Sequence, residues 1–365
     1  MHRGAVAEID RSALLHNLRT IQAMTAHASL IAVVKADAYG HGAVEVARTL
    51  AAQGVDFLAV AFVEEAKLLR YSGIGTRVLV LFDETDIPAC FDLNLTPVIH
   101  DKRSAMAFSR EARKRQTSIP VHLKIDTGMG RMGLRPESAV ADALEIDSLE
   151  GIVLEGLLSH FAEADLVDRS FAAEQLMRFR SMRADIEQGS GRSLFCHMAN
   201  SAAIFSFPDS LLDAVRPGIA LYGYSSLEGP SGLEPAMTVK AKIIAVRKLP
   251  EGTPVSYGRT YVTRRESRIA VLALGYADGY HRLFSNNAEV LVNGCRAPVV
   301  GRVCMDLTMV DVTDAGDVAE GDEAVLLGAQ NGQAITAAEL SRKIGTIPYE
   351  VLTSLGTRSR REYVQ

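Results

Sequence analysis

Lys35 stands where an apolar run, Leu30 to Val34, stops and the small, glycine-bearing segment Ala36-Asp37-Ala38-Tyr39-Gly40-His41-Gly42 begins. The apolar run predicts a buried strand. A lysine at the end of such a strand is partly desolvated, which lowers its pKa and exposes a neutral amine. A neutral amine attacks carbonyl carbons and forms Schiff bases. The plainer alternative is a strand-end lysine whose ammonium snorkels to water. Other chemically capable side chains fall just after further apolar runs: Arg131, His160, the pair Asn200 and Ser201, and Arg216-Pro217-Gly218. Ser201 offers a hydroxyl, and Gly218 lets its backbone N–H approach an anion closely. Gly218-Ile219-Ala220 can open a short helix whose N-terminus favours a phosphate. The alternative for Gly218 is that it merely ends a strand.

The elements that must position these groups follow a regular alternation. Eight apolar runs read as strands: Leu30–Val34, Phe57–Ala61, Val78–Leu81, Thr96–Ile99, Val121–Ile125, Leu154–Leu158, Leu194–Met198 and Ala214–Arg216. Helical patterns at Ala43–Gln53, Phe62–Tyr71, Asp101–Gln116 and Ser170–Gln188 lie between them, and Phe82–Leu95 is less regular. Repeated βα units with continuously apolar strands imply a parallel sheet covered on both faces. Eight units predict a closed (β/α)8 TIM-like barrel, with a doubly wound open sheet as the alternative. Barrel enzymes carry their sites at the C-terminal ends of the strands, where the polar residues named above fall. Ser12 to Met24 has Leu14, Leu15, Leu18 and Ile21 at helical spacing, and Ala5–Ile9 can form a separate strand.

From about Leu233 the pattern becomes β-rich. Ala241–Val246, Ile269–Leu274, Glu289–Val292, Met309–Val312 and Ala324–Leu327 are short strand candidates, and Asn293-Gly294 is a hairpin signal. Thr336-Ala337-Ala338-Glu339 is a capping box that opens one helix, with Leu340 and Ile344 on its apolar face. The expectation is therefore a barrel over residues 10–232 and a mostly antiparallel β domain over 233–365, which residues 1–9 can join. Gly229-Pro230-Ser231-Gly232 is the linker candidate.

Composition narrows the function classes. The 365 residues are 48% hydrophobic and 23% charged, enough for a large core. A net charge of -5 suggests neither a nucleic-acid partner nor an anionic membrane. No apolar stretch approaches the roughly 20 residues that span a bilayer. The start of the chain lacks a long apolar region and carries Glu8 early, which argues against a secretory signal and for a cytoplasmic protein. Cys90, Cys196, Cys295 and Cys304 show no CxxC spacing, and no histidine pair has zinc-site spacing, so no metal is expected. Gly128-Met129-Gly130-Arg131-Met132-Gly133 fits the dinucleotide fingerprint, but it lies at the fifth strand and Pro136 delays the helix. Asp126-Thr127-Gly128 has no second copy to make an aspartic-protease pair.

The string Val33-Val34-Lys35-Ala36-Asp37-Ala38-Tyr39-Gly40-His41-Gly42 resembles the pyridoxal-phosphate attachment segment of the alanine racemases. Further resemblances run in order along nearly the whole chain. They are Asp126–Gly133, Ser159-His160-Phe161, His197–Ser201, Val215–Ile219, Val255–Gly258, Gly275–Gly279, Gly301–Asp306 and Pro348–Val351. The resemblance implies a barrel plus a β domain, a homodimer with sites shared between subunits, and interconversion of L- and D-alanine to supply D-alanine for peptidoglycan. It also implies pyridoxal 5'-phosphate. General acid–base groups contribute roughly 10²–10⁴-fold, short of the 10⁶-fold or more that enzymes supply, so this weak carbon acid calls for an electron sink.

Residue by residue, the resemblance makes Lys35 the Schiff-base lysine and the base for the D-enantiomer, with Tyr257 as the opposite-face base. Bringing a tyrosine from its reference pKa of about 10 down to neutrality takes about 4 kcal/mol. In the family, the tyrosine is linked to the residues at His160 and Arg216. Arg216 matches the arginine that faces the pyridine nitrogen, and Arg131 is to hold the substrate carboxylate or the cofactor's phenolic oxygen. Lys124 matches a lysine that is often carbamylated, which would orient Arg131. Tyr39, Asn200, Ser201, Gly218, Ile219 and Tyr349 match cofactor-binding positions, Tyr349 also narrowing the entrance. Met305 matches a backbone contact to the substrate carboxylate, and Tyr276, Arg282 and Arg302 resemble entrance residues. The plainer readings are a solvent-facing strand tyrosine for Tyr257, a structural ion pair for Arg216 and a strand-end lysine for Lys124. The rival functions are a serine or broad-specificity amino-acid racemase, a same-fold decarboxylase, and a non-catalytic pyridoxal-phosphate carrier.

Overall fold

The computed structural model describes residues 4–25, 27–225, 227, 232–356 and 359–365. Most of the expected linker, Gly229 to Ser231, lies outside the described residues. The chain separates into two compact units. One holds Leu15–Ala36 and Ala43–Leu233; the other holds the chain up to Leu14, the short piece Asp37–Gly42 and everything from Glu234 onward.

The first strand, β1 (Val6–Asp10), belongs to the second unit. Eight strands then close the barrel of the first: β2 (Ser29–Val33), β3 (Phe57–Val60), β4 (Arg77–Val80), β5 (Thr96–Ile99), β6 (Ile119–Lys124), β7 (Ile152–Leu158), β8 (Phe195–Asn200) and β9 (Ala214–Arg216). Each pairs in parallel with the next, and β2 pairs with β9 (Leu30 with Val215), which closes the ring. The doubly wound alternative is thereby excluded. All eight expected strands are present within a residue or two of their expected bounds. The reason is physical: β3 and β5 are buried at every position, so the strand signal is an unbroken apolar run rather than alternation. Each fully buried Val, Leu or Ile contributes ~1.5–3 kcal/mol.

Between the strands, Ala43–Ala51, Val63–Tyr71, Lys102–Arg115 and Ser170–Ser190 form the expected helices, and the irregular third connection holds only the short helix Ile87–Asp92. Asp101 caps Lys102–Arg115 by accepting the Ser104 N–H at 2.7 Å. Glu65 bends back to its own helix start, accepting the N–H groups of Ala61 (2.7 Å) and Phe62 (3.2 Å), and also takes that of Ala36 (2.6 Å).

The segment after Lys35 is the main departure from expectation. Ala36, Asp37, Ala38 and Tyr39 all have φ between 52 and 54°, so the turn is left-handed without a glycine in it. Left-handed geometry costs L-residues about 1–2 kcal/mol each. Four in succession therefore hold several kcal/mol of strain directly after Lys35.

The second unit is a nine-stranded, mostly antiparallel sheet. Its central path runs Cys295–Pro298, Glu289–Val292, Glu323–Gln330, β10 (Met237–Leu249), β1 and Arg360–Val364. Ser267–Leu272 pairs with β10 and with Thr308–Asp311. The β1 strand lies antiparallel to β10 and parallel to Arg360–Val364. Asn293 and Gly294, with φ of 54 and 79°, make the expected hairpin turn. The expected helix is Ala337–Ile344, capped by Thr336, whose hydroxyl accepts the Glu339 N–H at 3.1 Å. A second helix, Pro348–Leu355, was not expected; it begins with proline at its first position and buries Val351, Leu352 and Leu355.

Candidate active site

Lys35, Lys124 and Arg131 converge on one aromatic ring. Their cationic groups lie 5.2, 5.8 and 5.8 Å from the centre of Phe82. Lys35 follows β2 and Lys124 ends β6, so the barrel register brings them to the same rim. Arg131 rides on the loop between β6 and the next helix. Asp126 folds that loop: its carboxylate accepts the N–H groups of Gly128 (3.0 Å), Met129 (2.8 Å), Gly130 (3.1 Å) and Arg131 (3.2 Å). The Asp-Thr-Gly string is thus a loop anchor, and the glycine-rich string serves the same loop.

So much positive charge in a partly dry place depresses basicity. Burial, then Arg131 and Arg216, lower the Lys35 pKa, with Glu65 opposing them. Burial, then Arg131 and Arg216, bring Lys124 down to about 8. Lys124 is 3% exposed. Burial and the neighbouring cations thus favour the neutral, nucleophilic form of both amines relative to an exposed lysine.

Arg216 closes β9 and is buried. Burial lowers its pKa to about 10, so it remains a cation at neutral pH. Its guanidinium donates to the carbonyl oxygens of Ser159 (2.6 Å), His197 (2.8 Å) and Met198 (3.1 Å), and to Nδ1 of His197 (2.6 Å) and of His160 (3.3 Å). An arginine only donates, so the His160 proton sits on Nε2. Burial, then Arg216 and the neighbouring cations, push the His160 pKa well below normal, and the ring is neutral.

Ser201 opens the helix Ser201–Ser206, and Asn200 caps it by accepting the Ala203 N–H at 3.0 Å. The Ser201 hydroxyl oxygen accepts the N–H groups of Gly218 (2.9 Å) and Ala220 (3.3 Å). This corrects the expectation for Gly218, whose N–H is spent on Ser201. The donors left for an anion are the Ser201 O–H and the N–H of Ile219, which opens a short 3-10 helix and has no carbonyl of its own turn to bond.

The second unit gathers Tyr39, Tyr257, Met305 and Tyr349. The rings of Tyr39 and Tyr349 are 5.9 Å apart. Burial, then Tyr349, raises the Tyr39 pKa and keeps its phenol protonated. Tyr257 and Met305 share a cavity of about 450 Å³ with Ser256, Cys304, Asp306 and Met309. Tyr257 begins a 3-10 turn between the short strands Pro254–Val255 and Tyr261–Val262 and is 70% exposed, so it is a turn residue rather than a strand residue. Ser256 before it has φ of 64°, held by its hydroxyl donating to the Arg302 carbonyl at 2.6 Å. Gly275 lets the Met305 strip pass: a Cβ there would fall 2.4 Å from the Met305 oxygen. Tyr276 and Arg282 line a separate cavity of about 500 Å³ in the same unit.

Sequence reasoning missed Phe82, Glu65 and Asp126 as the neighbours of these groups. Among the described residues, no group of three or more His, Cys, Asp or Glu side chains is placed to hold a metal, and no helix is long and apolar enough to cross a membrane.

Comparison with known proteins gives a consistent picture. Residues 9–226 match the alanine racemase N-terminal domain and residues 236–363 the alanine racemase C-terminal domain. The chain is 48% identical to the alanine racemase of Thermodesulfovibrio yellowstonii, over 100% of this chain and 99% of that one. It is 42% identical to that of Halothermothrix orenii, over 98% and 96%. Among solved structures, the alanine racemase of Streptomyces coelicolor A3(2) superposes with a TM-score of 0.93 at 38% identity, covering 99% of this chain and 98% of that one. The Bartonella henselae alanine racemase, solved with covalently bound pyridoxal phosphate, superposes at 0.90 with 31% identity and full coverage of both.

Proposed function

The chain belongs to the alanine racemase family, and from that premise we propose that it interconverts L- and D-alanine by a two-base mechanism with pyridoxal 5'-phosphate. The observation that most supports this is the barrel-mouth group of Lys35, Lys124, Arg131 and Arg216. Its positive charge exceeds what Glu65 and Asp126 offset, and its lysines are tuned toward the neutral amine. Such a site suits a ligand carrying an aldehyde and several anionic groups. Pyridoxal phosphate fits both requirements, and when bound it supplies an electron sink for the α-carbon.

In this reading the Lys35 amine holds the aldehyde carbon. Ser201, fixed by the Gly218 N–H, and the N–H of Ile219, with Asn200, Tyr39 and Tyr349, hold the phosphate side. Arg216 would donate to the pyridine nitrogen and, because an arginine does not give up its proton, would leave that nitrogen unprotonated. An arginine in that place, rather than a carboxylate, would limit the charge drawn into the ring and so disfavour transamination. Arg131 forks onto the substrate carboxylate or the phenolic oxygen, and the Met305 backbone supports the carboxylate. His160, neutral and pinned by Arg216, orders the same face. Lys35 takes or returns the α-proton on one face and the Tyr257 phenol on the other. Lys124, with its lowered pKa, is suited to add carbon dioxide: the neutral nitrogen bonds the carbon, one proton is released, and a carbamate replaces a cation beside Arg131.

The same reading has the protein acting as a homodimer in the cytoplasm, supplying D-alanine for peptidoglycan. Tyr257→Phe is the discriminating variant. Racemisation should fall by 10²-fold or more, while binding of pyridoxal phosphate, followed by its absorbance, is retained. Undiminished racemisation would remove Tyr257 from its role and reopen a single-base route. Serine turnover at a rate matching alanine would favour the broad-specificity alternative.

A further inference from the structure

We propose that Arg77, Glu155, His122, His197 and Arg216 form a one-way polar relay through the barrel interior, hydrogen-bonded except for an electrostatic step from His122 to Glu155, and that Glu155 and His122 act through it as positioning residues for the Arg216 guanidinium. The inference rests on the proposed role of Arg216 facing the cofactor ring.

The direction of the relay is forced from one end. Arg216 can only donate, and its Nη1 lies 2.6 Å from His197 Nδ1. That nitrogen must present a lone pair, so the proton of a neutral His197 is on Nε2. His197 Nε2 lies 2.8 Å from His122 Nδ1, so it donates there, and the His122 proton is in turn on Nε2. That N–H is fully buried, lacks a hydrogen-bond partner among the described residues, and lies 3.7 Å from Oε2 of Glu155. Both oxygens of Glu155 accept from the Arg77 guanidinium, one of them at 2.7 Å. Reversing the link between the histidines would leave His197 with no proton at all, which a neutral imidazole does not allow.

Other observations agree. Burial, then Arg216, pushes the His197 pKa well below normal, and burial likewise lowers that of His122. The facing His122, together with Arg77, holds the Glu155 carboxyl at about 2, so it is ionised. The space for the His122 ring is built in. Gly156 pairs with His122 across β6 and β7, and a Cβ there would fall 2.9 Å from His122 Cε1 and 2.5 Å from the Phe195 oxygen.

The consequence concerns charge placement. Among the described residues no carboxylate touches Arg216; its acceptors there are carbonyls and imidazoles. Glu155 supplies the balancing negative charge two rings away. Polarisation along the chain of hydrogen bonds makes His197 Nδ1 a stronger acceptor. Arg216 is thereby fixed and kept charged while no carboxylate stands near the ring it faces.

The test is long-range proton–nitrogen correlation NMR on the full-length protein labelled with 15N-histidine, with and without added pyridoxal phosphate. Wild type should show His122 and His197 both neutral with the proton on Nε2. Glu155→Gln, which keeps an acceptor but removes the charge, should shift the His197 nitrogens; His122→Phe should shift them further. A proton on Nδ1 of either ring, an imidazolium, or His197 nitrogens unmoved by Glu155→Gln would overturn the relay. In the loaded enzyme, Glu155→Gln should raise pyruvate released per racemisation turnover severalfold, with the KM for alanine unchanged. An unchanged ratio would overturn the positioning role. The resonances without cofactor do not depend on the cofactor reading, so the two can fail separately.

Discussion

Burial, then Arg131, Arg216 and Lys35, lowers the Lys124 pKa, and Asp126 alone raises it. The sign of its contribution follows from linkage. With a folded pKa of about 8 against 10.5 when exposed, the unfolded chain binds more protons between those values. Stability attributable to this site therefore rises with pH across that window, and the charged form is penalised below it. Lys124→Met should be more stable than wild type by ~3 kcal/mol near pH 7 in carbon-dioxide-free buffer, and the advantage should vanish by pH 10.5. Denaturant titrations at several pH values check this; a constant difference would mean the lysine is not depressed. Equilibration with bicarbonate should narrow the gap if the carbamate forms. At this scale the sequence placed Lys35 and Arg216 correctly at strand ends, because apolar runs stop visibly there. It did not show that Asp126 folds the Arg131 loop, because four backbone N–H groups converging on one carboxylate leave no periodic trace.

Elements explain where strain and close packing are concentrated. The left-handed turn Ala36–Tyr39 was not legible in the sequence, since Ala-Asp-Ala-Tyr contains no residue that prefers positive φ. It exists because its surroundings over-determine it, Glu65 binding the first N–H of the turn. Ala36 is exposed, so Ala36→Gly relieves backbone strain without opening a cavity. The gain should be about 1 kcal/mol after the added unfolded-state entropy, read as a higher midpoint in urea. A lower midpoint would mean that the turn is unstrained. Gly156→Ala should do the reverse, costing about 2–3 kcal/mol, because the new methyl meets the Phe195 carbonyl as well as His122. The barrel strands were readable because both their faces are buried. The helix Pro348–Leu355 was overlooked although Pro348 and the apolar spacing of Val351, Leu352 and Leu355 were its signals.

For the whole molecule, the two units divide the candidate residues between them: Lys35, Lys124, Arg131, His160, Ser201 and Arg216 in one, Tyr39, Tyr257, Met305 and Tyr349 in the other. If the functional protein is a two-fold dimer whose sites join Lys35 of one subunit to Tyr257 of the other, inactive variants must complement. Mixing Lys35→Ala with Tyr257→Phe and allowing subunits to exchange should restore about a quarter of wild-type activity, since half the dimers are mixed and each holds one intact site. No recovery, with mixed dimers demonstrated by mass, would place both groups in one chain. Fold class was readable at this scale because eight buried strands in alternation with helices admit few arrangements. The inclusion of Asp37–Gly42 in the β-rich unit was not, since it depends on packing between segments some 300 residues apart.

The central claim is that the Lys35 amine is the attachment point for an aldehyde-bearing cofactor. Borohydride reduction of the full-length protein reconstituted with pyridoxal phosphate, followed by peptide mapping, tests it most directly. One stable adduct on the peptide containing Lys35, lost in Lys35→Ala, is the expected result. An adduct confined to Lys124 or a surface lysine, or none at all, would contradict the account.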